Sequence, residues 1–168
     1  MIGNASNPML AQAEQGIQAK VPANLQSALA KVIHAGVTIM YSPKIAQQRN
    51  EQLATMKDPV GSVGPGAARL MYNLYQQSKK TIPIPLIIPA AMIISMEYLD
   101  LLAKAGKVQI TPDVIAKSVQ SVVQATLPLL GLTPQKMAQL QQMSAQKSGG
   151  AAPAPAAPGI LGSAQGGM

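Results

Sequence analysis

Apolar residues recur along this chain at helical spacing, in blocks divided by Pro and Gly. Over residues 24–40, Leu25, Leu29, Val32, Ile33, Val37 and Met40 share one face of a 3.6-residue period, which predicts an amphipathic helix. Pro22 precedes this block, and Asn24 or Ser27 suits the cap region. Gly36 inside it costs about 1 kcal/mol relative to Ala and permits a close helix contact. Ser42-Pro43 then reads as an N-cap followed by Pro at the first helical position, where the missing N–H costs nothing. Ile45, Arg49, Leu53 and Met56 continue that block, and Lys57-Asp58-Pro59 closes it.

The stretch VGSVGPG over residues 60–66 predicts a hinge or loop, with the hinge region spanning about 58–66. Helical spacing resumes over 67–80, where Leu70, Met71, Leu74 and Tyr75 share a face. Gln76, Gln77, Lys79 and Lys80 finish that block with cations at the negative end of the helix dipole. Pro83, Pro85 and Pro89 predict a Pro-rich break near 82–89, because proline opposes both a regular helix and a central strand. Residues 90–104 then form a helix with Ile93, Met96, Leu99 and Ala103 as its buried stripe and Gly106 as its stop.

Thr111-Pro112-Asp113 repeats the cap-then-Pro start and adds an acid in the first turn. Ile115, Val119, Val122, Thr126 and Leu129 give the stripe of this helix, and Pro128 ends or kinks it. Thr133-Pro134 opens a last helix with Met137, Leu140 and Met143 or Ser144 inward. The expectation is an all-α protein of about five amphipathic helices, in a bundle or an open arrangement. An extended N-terminal arm covers 1–23, a helical domain 24–147, and a flexible Ala/Pro/Gly tail 148–168, with Ile160-Leu161 as a small apolar button.

Composition sharpens this picture. The 168 residues hold 48% apolar but only 11% charged side chains, against roughly 25% in an average soluble domain. Gln pairs at 47–48, 76–77 and 141–142 stand where exposed helices more often carry Lys and Glu. So few charges predict that the helices shelter against companions, and that the chain is an interaction part. The N-terminal sequence lacks the basic start and unbroken apolar run of a signal peptide. Residues 82–96 are almost wholly apolar but short of the roughly 20 needed to span a bilayer, and Glu97 and Asp100 follow at once. Membrane contact is therefore expected only transiently.

Reactive groups are scarce. There is no Cys, so disulfides and thiolate metal sites are excluded. His34 is the single His and reads as a surface or hydrogen-bonded helix residue. Glu97 and Asp100 lie one helical turn apart and suit a solvated face or a salt bridge from Asp100 to Lys104 at i, i+4. The glycines of 61–66 lack the Gly-Lys-Ser/Thr ending of a phosphate loop, and Pro65 removes a needed donor. No catalytic, cofactor-binding or metal residues are therefore expected, and the chain reads as a non-enzyme. The net charge of +7 comes from dispersed lysines, without an Arg cluster or a stacking platform. It predicts only weak, salt-sensitive, non-specific DNA contact.

Two stretches carry a resemblance: AKVIHAGVTIMYS over 30–42, and PIPLIIPAAMIISMEYLDLLAKAG over 83–106 with the downstream ITPDVIAKSVQSVVQATLPLLGLTPQKM. Together they resemble small virion-associated proteins of short-tailed, podovirus-like bacteriophages, over about residues 25–143. The resemblance implies a structural protein made in the host cytoplasm and placed in the virion, oligomerising around or inside the head, portal or tail assembly and ejected with the genome. It implies no catalytic residues. The implied partners are other copies of the chain and portal, capsid or tail proteins. The expected contact residues are Leu70, Met71, Leu74 and Tyr75 on one helix, and Ile93, Met96 and Tyr98 on another, each with plain core as the competing role. A membrane-active protein, holin-like or pore-forming, is the first alternative. A basic DNA-packing protein is the second.

Overall fold

In three of the five helices whose full span is described, a capping side chain followed at once by proline sets the start. In the computed structural model, which describes residues 5–44, 51 and 57–131, Asn7 caps α1 (Pro8–Gln18), its Oδ1 accepting from the Met9 amide at 2.9 Å. A 3₁₀ turn (Ala23–Leu25) leads into α2 (Gln26–Met40). Asp58 caps α3 (Pro59–Gln77), its Oδ1 accepting from the Gly61 amide at 3.0 Å. After α4 (Ile84–Lys104), Thr111 caps α5 (Pro112–Leu129), accepting from the Val114 amide at 3.3 Å. In each of the three, proline occupies a first-turn position whose N–H has no intrahelical partner. The described residues contain no strand, and the expected all-α class holds.

α4 is the axle. Helices α1, α2, α3 and α5 all pack on it, and it is buried on nearly every side. Its first half joins a core of Leu29, Ile33, Met71, Leu86, Ile87 and Ile94. Its second half joins a smaller cluster of Leu10, Val63, Met96, Leu99 and Leu102. The N-terminal residues of α3 and α5 line one hollow together, and their C-terminal residues line another, so these two helices run side by side in the same direction. They pack most closely at Gly64, where an added Cβ would stand 2.6 Å from the Ser121 backbone carbon. Gly36 does the same for α2 on α4: a Cβ there would stand 2.6 Å from the Ile94 Cδ1. Both glycines trade helix propensity for close approach.

Several expectations need correction. The N-terminal segment is not an extended arm throughout, because residues 8–18 form a helix with Leu10 buried against α4. The 58–66 stretch is no hinge. It is the first part of α3, and Pro65 is carried inside the helix while Gly64 meets α5. The break over 82–89 shrinks to residues 78–83. Pro85 sits in the first turn of α4, where no bond is lost, and Pro89 is accommodated one turn further in beside the buried Leu86, Ile87 and Ala90. α4 therefore has 21 residues and is long and apolar enough to cross a membrane, although 67% of its most apolar window is buried inside the protein.

Among the described residues only Tyr41 and Ile84 are large, apolar and exposed, at 42% and 61%. Small residues at the helix contacts, such as Gly64, Ala67, Ala68, Ala90 and Ala91, bring the helices close enough to bury the larger ones. Of the helix expected over 43–56, only Pro43, Lys44 and Glu51 are described, and all three are helical. The last helix from Thr133 and the tail 148–168 lie outside the described residues.

Candidate functional site

Two places among the described residues carry chemistry. The first is a group of three carboxyls between α1 and α4. Glu97 and Asp100 project from α4 one turn apart, and both are buried. The solvated face expected for this pair is therefore wrong, because α1 lies across it. The expected pair with Lys104 is present, with Nζ 2.6 Å from the Asp100 Oδ2. The Ser6 hydroxyl donates to the same oxygen at 3.2 Å. Burial alone would raise the Asp100 pKa. The hydrogen bonds from Lys104 and Ser6, with the lysine's charge, outweigh it and hold the carboxyl below its usual value. The bond to Asp100 in turn raises the Lys104 pKa.

Glu14 completes the group from α1. It is 3% exposed, and its Oε1 has no hydrogen-bond partner. Burial first, then the charges of Glu97 and Asp100, push its pKa from 4.5 up to about 8. Glu14 is thus protonated at neutral pH. No group of three or more ligating side chains among the described residues is arranged to hold a metal ion. Sequence reasoning missed Glu14. The available signal was its place at i+4 between Leu10 and Ile17, on the apolar face of an eleven-residue helix.

The second place is a cleft of about 350 Å³ where α3 ends and α4 begins. Tyr72, Tyr75, Gln76, Lys80, Ile84 and the end of α5 line it. Two consecutive lysines form the turn, Lys79 and Lys80, at φ 54° and 62°. Their amides close the end of α3, the Lys80 N–H donating to the Tyr75 carbonyl at 2.9 Å. This left-handed conformation costs a non-glycine residue roughly 1 kcal/mol or more. The cleft wall thus places an exposed isoleucine beside two tyrosines and a lysine, with no acid among its lining residues.

The expected contact residues divide between core and rim. Met71, Leu74, Ile93 and Met96 are buried in the chain's own core, the competing role named for them. Leu70, Tyr75 and Tyr98 are half-buried against that core, and Tyr75 alone of the seven reaches the cleft. His34 is exposed on α2, and its carbonyl accepts from the Thr38 hydroxyl at 2.7 Å. The glycines of 61–66 lie in α3 and form no loop.

No protein-family model, no curated protein and no solved structure matches the chain.

Proposed function

We propose that this chain is a non-enzymatic interaction protein that docks a second copy of itself at the cleft between the α3 end and α4. In this reading it serves as a structural component of a bacteriophage particle, in a ring or shell around or inside the head, portal or tail. The docking part is carried by one observation. Ile84 is 61% exposed, the most exposed large apolar side chain among the described residues, and it lines the cleft with Tyr72, Tyr75 and Lys80. Tyr anchors and an apolar knob are what compact interfaces concentrate at their centres. The particle part is supported by the sequence resemblance alone. A modest contact repeated by symmetry holds firmly even when each pair is weak.

Light scattering of the purified full chain tests this, alone and with candidate portal or capsid proteins. Concentration-dependent assembly is expected for the native chain and its loss for Ile84→Glu, a surface change that leaves the core intact. A lone monomer in every mixture refutes the reading.

The 21-residue apolar α4 favours a second reading, a membrane-active protein that inserts this helix after opening. Stable flotation with neutral vesicles and leakage of their contents would select it over docking.

A further inference from the structure

Helix α1 is fastened to α4 by an apolar contact and an acidic one. Leu10 is fully buried in the cluster of Val63, Met96, Leu99 and Leu102. One turn later Glu14 enters the same contact as a buried carboxyl with one oxygen unpartnered. A buried neutral carboxylic acid is tolerable there. A buried carboxylate beside two other acids is not, because it loses its hydration and meets like charge.

We propose that α1 is a pH-gated latch, docked while Glu14 carries its proton and released when that carboxyl ionises against Glu97 and Asp100. The charged groups of α4 at this contact are Glu97, Asp100 and Lys104. Lys104 is already engaged with Asp100, and the Tyr41 phenol at the end of α2 acts on Lys104. α5 also touches α1. Its Asp113 and Lys117 are exposed, and neither is among the groups that act on Glu14.

The sign follows from linkage. Glu14 binds its proton more tightly docked than free, so docking is strongest below about pH 4.5 and weakens as the pH rises towards about 8. Between those values each pH unit weakens docking about tenfold relative to the free helix. The Asp100–Lys104 pair lies within α4 and persists whether or not α1 is docked. Release would uncover Met96, Leu99 and Leu102, giving the molecule a second apolar face on the alkaline side. The latch is independent of docking at the cleft, since no residue of the cleft takes part in it.

The chain has no native Cys, so Gln12→Cys on α1 and Gln109→Cys beyond α4, both at exposed positions, accept spin labels cleanly. With native Glu14, the label-to-label distance should be narrow at about pH 6 and broaden by about pH 9.5. With Glu14→Gln, which keeps the shape and cannot ionise, it should stay narrow throughout. An unchanged distribution in the native chain, or equal broadening in both, overturns the latch. Should Glu14→Gln fail to dock at all, the carboxyl ¹³C titration of native Glu14 decides. A midpoint near 8 supports the latch and one near 4.5 overturns it.

Discussion

The two halves of α4 are built on opposite principles. Residues 84–94 are wholly apolar apart from their backbone, and they pack against α2 and α3 through Ile87, Ala90, Ala91 and Ile94. Residues 95–104 interleave Met96, Leu99 and Leu102 with Ser95, Glu97 and Asp100, all buried. The first half needs only shape complementarity. The second must also satisfy charges, and it does so unevenly. Asp100 is served by Lys104 and Ser6, whereas Glu14 opposite it is stable only as the neutral acid. Stability in the first half should therefore be indifferent to pH, and in the second it should not.

The most damaging way to probe the apolar half is Ile94→Ala. Ile94 is fully buried with its Cδ1 against the Gly36 backbone, so truncation leaves a void between two helices that touch closely. Urea denaturation should show a loss of about 2–5 kcal/mol, of similar size at pH 5 and pH 9. A cost that varied strongly with pH would erase the distinction between the halves.

Glu14→Gln addresses the polar half. The native chain should lose stability as the pH rises from about 4.5 to about 8, at up to about 1.4 kcal/mol per pH unit. The Gln variant should lack that slope. Its curve should cross the native one, since an amide gains nothing from acid and loses nothing to base. Superimposable curves would mean that Glu14 is ionised in the folded chain.

Lys104→Met has a smaller effect. The lysine is 54% exposed, so the attraction itself is screened. The variant nevertheless leaves the buried Asp100 with Ser6 as its remaining donor, and about 1 kcal/mol should be lost at neutral pH. Asp100 has a lowered pKa in the fold, so its contribution is present above its ordinary value and fades as the pH falls below it. Removing Lys104 should flatten that acid limb, which the same denaturation series at pH 2.5–5 reads.

What could be read in one dimension was mostly the cap-then-Pro device and the apolar stripes. Thr111-Pro112 predicted the start of α5 correctly. Asn7-Pro8 and Asp58-Pro59 carry the same device, and there it was outweighed by neighbours: a polar, low-contrast N-terminus in one case and VGSVGPG in the other. Gly64 makes sense only against Ser121, 57 positions away, a contact no local pattern encodes. Glu97 and Asp100 looked solvated because the helix that covers them was itself unread. The cleft is half legible: Tyr75 stands on a helical stripe, but Ile84 lies inside a proline-rich stretch that predicts a break.

Ser118 sharpens the contrast by testing whether a buried polar atom near the second half helps or merely survives. It lies on α5, whose Val114, Ile115 and Val119 pack on the cluster around Leu99. Its hydroxyl is fully buried and has no partner. Thr126, two turns on, is also buried, but its hydroxyl donates to the Val122 carbonyl at 2.7 Å. An unpaired buried hydroxyl costs about 1–3 kcal/mol, while a paired one contributes about 1. Ser118→Ala removes the unpaired atom, leaves a void smaller than a methyl group and adds helix propensity of a few tenths of a kcal/mol. It should therefore be neutral or stabilising by about 1 kcal/mol, where Thr126→Ser, which keeps the hydroxyl and removes a methyl, should destabilise by about as much. If Ser118→Ala instead costs stability at every pH, the hydroxyl has a partner in solution. The second half of the core would then be better satisfied than its unpaired atoms indicate, and Glu14 would stand alone as its one tense group.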